Sequence, residues 1–332
     1  MTEARTPNNF DALRLGAALT VLVSHSFQIS YGNYQMEPVW RIGPHQATLG
    51  HIAVAVFFIV SGYLITGSYA RRPDPARFVQ ARALRLLPGL AVCLTVLAAL
   101  AGPLLTVLPL GEYAASPGPL WFVLVNLSLT GFETSLPGVF GGNPFPDVVN
   151  GSLWTLRYEA ECYALVLLLG WTGTLNRWTV AAMLAVFFLA SARWIGGSRT
   201  EFASLFFGGA AMYMWQPPLR RWMAGSACFV LILALLTRSF WLAAATAGAY
   251  LIIYAARALR PVRLPWQSDL SYGVYLWAFP VQQAVTMALG VYAAWWVNVA
   301  LSLPPVLALA WLSWHYIEAP ALALLTRNAH AR

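Results

Sequence analysis

Ten apolar runs divide the chain, at residues 13–31, 49–69, 84–107, 152–171, 176–193, 201–216, 221–237, 239–257, 269–290 and 293–316. A helix rises about 1.5 Å per residue, so runs of this kind approach the length that crosses a hydrocarbon core about 30 Å thick. Segment 118–131 is apolar but short, and is expected to be re-entrant or interfacial. No gap between runs is long enough for a separate globular domain. The expected fold is therefore all-α: a polytopic membrane protein of about ten transmembrane helices, one integral membrane domain over 1–332 with no appended extracytoplasmic domain. Arg5 and Arg14 stand before the apolar stretch of the first run, but no small-residue cleavage site follows it, so it reads as a retained span.

Composition strengthens this picture. The 332 residues are 59% hydrophobic and 10% charged, with a mean hydropathy of +0.62. A soluble domain carries about 25% charged residues. The apolar surface must face lipid, where only self-satisfied backbones such as helices persist. The formal charge is +8, and every basic residue is Arg. These arginines sit in short gaps between apolar runs, which is a topology signal and argues against a nucleic-acid partner. Arg71, Arg72, Arg77, Arg82 and Arg85 follow the second run and mark a cytoplasmic gap. Counting onward puts Arg220, Arg221, Arg257, Arg260, Arg263, Arg327 and Arg332 on the same side, with both termini cytoplasmic. Loops 32–48 and 108–150 then lie outside. Cys93, Cys162 and Cys228 fall in apolar runs without metal or disulfide spacing, and read as small core residues. No metal is expected.

Titratable side chains inside such runs are costly and usually mark function. On the first run, Asp11, Arg14 and His25 approach one helical face, because eleven residues make about three turns. His25 lies about 16 Å beyond Arg14, near the bilayer midplane. A hydrogen-bonded core histidine is the plain alternative, but a face shared with Arg14 and Asp11 favours general-base chemistry. Arg82 and Arg85 share a face at the mouth of the third run, where two guanidinium forks suit a phosphate-bearing ligand. In the run at 152–171, Arg157 and Glu161 are spaced for an i, i+4 pair, leaving Glu159 beside Tyr163. Near the C-terminus, Asp269 and Ser271 are expected to cap a helix, Tyr272, Tyr275 and Trp277 to be interfacial aromatics, and His315 and Glu318 to be structural.

Together these stretches resemble the membrane acyltransferase-three family, which includes bacterial O-antigen and exopolysaccharide O-acetyltransferases and macrolide acyltransferases. The resemblance rests on NNFDALRLGAALTVLVSHSF, on FF-x-x-SG-Y with Phe57, Phe58, Ser61 and Gly62, and on RALRLLP. SLWTLRYEAECY, with Trp154, Glu159 and Tyr163, continues it, followed by DLSYGVYLWAFP and IEAP. Many relatives carry His where this chain has Ala278. The resemblance implies a bacterial inner-membrane O-acyltransferase that moves an acyl group, acetyl by default, from cytosolic acyl-CoA to a hydroxyl of a carbohydrate-containing acceptor or a macrolide-like small molecule.

In that reading Arg82 and Arg85 hold the donor's phosphates and Arg14 lies near its thioester. His25 deprotonates the acceptor or carries the acyl group, Glu159 orients the acceptor or His25, and Asp11 is counted with the catalytic residues. Trp154, Tyr163, Ser61 and Tyr275 line the substrate site. Direct transfer and an acyl-histidine intermediate both stay open. A transporter or flippase without chemistry also accommodates midplane polar residues, although no inverted repeat or matching pair of Gly/Pro-broken helices is present. A sensor or scaffold leaves the cost of burying His25 and Glu159 unexplained.

Overall fold

The computed structural model describes residues 8–330 other than 44, 194, 196, 263–267 and 291–293. The topology expectations on Arg5, Arg263 and Arg332 lie outside the described residues. Among the described residues the fold is all-helical, without strands. The principal helices are α1 (Phe10–Tyr31), α2 (Pro38–Ile42), α3 (Leu49–Arg71), α4 (Pro75–Leu105), α5 (Leu110–Ala115), α6 (Gly118–Leu127) and α7 (Leu156–Trp171). They continue with α8 (Arg177–Ala192), α9 (Ser198–Trp215), α10 (Arg221–Leu236), α11 (Phe240–Arg257), α12 (Ser271–Leu289) and α13 (Trp295–Leu325). Every predicted apolar run coincides with one of these helices, and the short segment 118–131 holds α6. By length and apolarity, α1, α3, α4, α11 and α13 are able to cross a membrane, while α6, α8 and α10 are apolar but shorter.

Local chemistry sets the helix ends. The Thr48 hydroxyl accepts the His51 N–H while His51 Nδ1 accepts the Thr48 N–H, a reciprocal cap that starts α3. Asp74 accepts the Arg77 N–H ahead of Pro75, whose missing N–H costs nothing in a first turn. Gly32 ends α1 with a φ of +74°, in the left-handed region that glycine enters freely. Single π-helical turns interrupt α4 at Leu97–Ala101, α11 at Ala244–Gly248 and α13 at Trp314–Glu318.

The core lies where α1, α3, α9 and α12 meet. Backbones approach closely there because glycines line the crossings: a Cβ on Gly62 would lie 1.8 Å from the Phe206 carbonyl oxygen, and one on Gly209 2.0 Å from that of Ile59. Small residues at crossings are how helices associate in lipid, where packing replaces the hydrophobic drive. The periphery is the reverse of a soluble protein's. Trp222, Phe229, Ile232 and Leu236 on α10 and Leu100 and Leu104 on α4 are all exposed, as a lipid-facing belt requires.

Two sequence expectations are corrected here. Cys93 and Cys162 are buried, but Cys228 is exposed on α10, because an apolar run on a peripheral helix faces outward. Tyr272, Tyr275 and Trp277 are buried rather than interfacial, because α12 is central.

Candidate active site

Among the described residues, two cavities with titratable side chains in their linings lie end to end in the interior of the bundle. The larger, of about 600 Å³, opens at the arginine-rich end, among the start of α1, the start of α4 and the end of α13. Its charged lining comprises Asp11, Arg14, Arg82, Arg85, Glu159 and Asp269. Asp269 is the hub: its Oδ2 accepts from Arg14 Nη1 at 2.7 Å and from Arg85 Nη2 at 2.5 Å, while Oδ1 accepts from the hydroxyl and N–H of Ser271. Arg85 also lies 3.5 Å from Glu318 and between the rings of Tyr272 and Trp314. Arg82 differs. Its Nε is buried and makes no hydrogen bond among the described residues, and its guanidinium rests 6.0 Å from the Phe78 ring centroid. Deeper in, Glu159 Oε1 accepts from the hydroxyls of Ser61, at 2.8 Å, and Tyr163, at 2.5 Å.

The second cavity, about 280 Å³, lies toward the opposite end and is capped by loop residues Phe132, Thr134, Phe145 and Val148. His25 and His51 both line it. The His25 ring stands edge-on to Phe279 at 5.1 Å, and its Nδ1 is buried without a hydrogen bond among the described residues. Trp154 adds an indole wall, tilted against Phe202. Tyr34 donates its hydroxyl to Gln28 Oε1. Burial, and then the nearby Glu37, push the Tyr34 phenol up from its ordinary value, so it stays a neutral donor.

Val54 and Tyr275 line both cavities. The Tyr275 hydroxyl is tied to the Ser152 carbonyl and to Thr155 Oγ1, each at 2.6 Å. These two side chains form the divide between the arginine end and the histidine end.

Arg14, Arg82, Arg85, Glu159, Ser61, Tyr163 and Asp11 thus come together in the first cavity, with Asp11 exposed at its mouth. His25 and Trp154 stand in the second, and Tyr275 borders both. The helical face shared by Arg14 and His25 therefore feeds two compartments, and Glu159 contacts Ser61 and Tyr163 rather than His25.

The expected Arg157–Glu161 pair does not form. Glu161 accepts two hydrogen bonds from Arg199 at 2.8 and 2.9 Å, and Arg157 stacks on Tyr158 with its guanidinium 4.5 Å from the ring centroid. The neighbouring ring and a charge on α9 outcompete the i, i+4 geometry. Asp269 does bond the N–H of Ser271, yet its principal role is to bind two arginines from distant helices. Glu318 is buried beside Arg85. The sequence reading did not single out His51. Its signal was present as Thr48 three residues before His51 at a helix start, the spacing of a reciprocal cap.

A helical protein with a lipid-type exterior and a polar, charged interior is a membrane protein whose interior carries its function. The particular family follows from comparison. Residues 8–315 match the acyltransferase-3 model, described as an acyltransferase domain, and the chain belongs to that family; it is an acyltransferase. It is 29% identical to nodulation protein 10 of Rhizobium leguminosarum bv. viciae over 364 aligned positions, covering 96% of this chain and 94% of that protein. It is also 29% identical to an O-acetyl transferase of Shigella phage Sf6 over 339 positions, covering 94% and 95%. No solved structure matches the chain.

Proposed function

We propose that the protein is a multi-pass inner-membrane O-acyltransferase that takes an acetyl group from cytosolic acetyl-CoA and delivers it to a hydroxyl of a carbohydrate-containing acceptor. The observation that carries this reading is the pair of abutting cavities, one lined by arginines and one by histidines, that meet at Val54 and Tyr275. The positive-inside pattern assigns the arginine end to the cytosol, where a phosphate-rich donor resides. The O-acetyl transferase name of the phage relative supports the acyl group and the oxygen acceptor.

In this account Arg82 holds donor phosphate, since its Nε has no protein partner. Arg14 and Arg85, pre-set by Asp269, add guanidinium edges to the same cavity. Asp11 stands at the entrance. Glu159 fixes Ser61 and Tyr163 along the path of the donor's narrow arm. The thioester passes Val54 and Tyr275. The acceptor enters the second cavity against Trp154, an indole face suited to a sugar ring. His25 takes the acceptor's hydroxyl proton as its oxygen attacks the thioester carbonyl. The C–S bond then breaks, and the coenzyme thiolate leaves with the proton from His25. A polar donor thereby stays on one side while the acceptor approaches from the other.

The test is transfer from labelled acetyl-CoA by the purified protein supplied with envelope glycans. Label in the glycan, lost in His25→Ala with donor binding retained, is the expected result. Label transfer at the wild-type rate by His25→Ala would remove the base role. Glycan left unlabelled by the wild type would refute the acceptor class.

A further inference from the structure

His51 caps α3 and also occupies the second cavity with His25. Two observations fix its chemistry. The first is depth. Gly50 packs against Ser24, so closely that a Cβ on Gly50 would lie 3.0 Å from the Ser24 hydroxyl. The next residue on each helix is a histidine, so α1 and α3 present two imidazoles at one level of the same cavity. His51 is also one turn from Val54, on the same face of α3, and Val54 borders the divide.

The second observation is the tautomer. His51 Nδ1 accepts the Thr48 N–H at 3.2 Å. A nitrogen that accepts a hydrogen bond carries no proton, so the ring's proton resides on Nε2. Nε2–H makes no hydrogen bond among the described residues, and the backbone cap holds its ring in place. Ser152 Oγ, from the same lining, also makes no hydrogen bond among the described residues, but it is fully buried, and two further hydroxyls are already committed. The Tyr34 hydroxyl is spent on Gln28, and the Tyr275 hydroxyl on Ser152 and Thr155. Gln28 lies about one turn beyond His25 on α1, further from the divide.

We propose that His51 is a second catalytic residue, whose Nε2–H donates a hydrogen bond to the carbonyl oxygen of the incoming acyl group as that oxygen becomes an oxyanion. It changes no proton count: the acceptor proton goes to His25 and on to the leaving thiolate, while His51 keeps its own. The inference rests on the acyl-transfer reading of the two cavities. A donor fixed before the substrate arrives is the arrangement that stabilises a tetrahedral intermediate.

Three substitutions separate the donor role from the cap. His51→Gln keeps an acceptor for the Thr48 N–H and offers an amide N–H in place of Nε2–H. His51→Glu keeps the cap but puts a charged acceptor where the donor stood. His51→Leu removes both. With labelled acetyl-CoA and envelope glycans, His51→Gln is expected to turn over within about tenfold of wild type. His51→Glu is expected to lose about 100-fold or more in kcat, with an unchanged KM for the donor and an unchanged thermal midpoint. If His51→Glu does not fold, His51→Leu, read per folded molecule, replaces it with the same expected loss. A His51→Glu or His51→Leu enzyme within tenfold of wild type overturns the proposal. So does a His51→Gln enzyme as impaired as His51→Glu, since that result demands an imidazole rather than a donor. Absence of transfer by the wild type would instead refute the acyl-transfer reading itself, and the two failures are told apart by that control.

Discussion

Asp269→Asn is the most informative perturbation of the first cavity. The carboxylate is 15% exposed and holds Arg14, 21% exposed, at 2.7 Å and Arg85, 13% exposed, at 2.5 Å. Neutralising it leaves Arg14, Arg82 and Arg85 facing one cavity with fewer counter-charges. Removing one partner of a buried ion pair costs about 3–5 kcal/mol, because the other charge stays buried and uncompensated. Two features hold the expected loss near the lower bound, at about 3 kcal/mol. Glu318 still lies 3.5 Å from Arg85, and Arg14 keeps some access to solvent. The assay is reversible unfolding of the purified protein in mixed micelles by a denaturing detergent, read by circular dichroism. The double variant Arg14→Gln/Asp269→Asn restores part of the loss, since it removes one of the stranded charges. Asp269→Asn within about 0.5 kcal/mol of wild type, the range of an inconsequential surface change, would refute the reasoning. A double variant less stable than the sum of the singles would do so as well.

Other outcomes follow from the same geometry. Arg82→Gln removes the cation whose Nε has no protein partner. A lost charged hydrogen bond is worth about 1.5–3 kcal/mol, so acetyl-CoA affinity falls about 10- to 150-fold by calorimetry, and the thermal midpoint does not fall. Val54→Trp fills the divide between the cavities; transfer stops while donor binding persists, and an active variant would show that the acyl group takes another path. Gly62→Val puts a side chain 1.8 Å from the Phe206 carbonyl, so the α3–α9 crossing must open. Overpacking costs about 1–3 kcal/mol, measured by the same detergent titration, and the neighbouring Ser61–Glu159 hydrogen bond shifts with it.

The helices were legible because apolar runs, caps and breakers are local. Thr48, Asp74 and Gly32 announce their own turns. The cluster of arginines at the mouth of α4 was legible for the same reason, and so was the Glu159–Tyr163 spacing on α7. What escaped is what crosses between helices. Asp269 meets Arg14 across 255 positions and Arg85 across 184, and no periodicity connects them. Glu161 finds Arg199 rather than Arg157 because a bidentate partner on another helix outweighs an i, i+4 neighbour. His51 was hidden because its cap and its cavity belong to different levels of description. The cap is local, but the facing His25 is set by the packing of α1 on α3. The division into two cavities, and the choice of Val54 and Tyr275 as its border, is likewise a property of the assembled bundle.

The central claim is that a donor held at the arginine end delivers its acyl group to the histidine end through the Val54–Tyr275 divide. The most direct measurement is photo-crosslinking with a short acyl-CoA carrying a diazirine on the acyl group, bound to the intact His25→Ala protein and mapped by mass spectrometry. The account predicts adducts on second-cavity residues such as Phe279 and Trp154, abolished by Val54→Trp and competed by acetyl-CoA. Adducts confined to the first cavity or to the lipid-facing helices would contradict it.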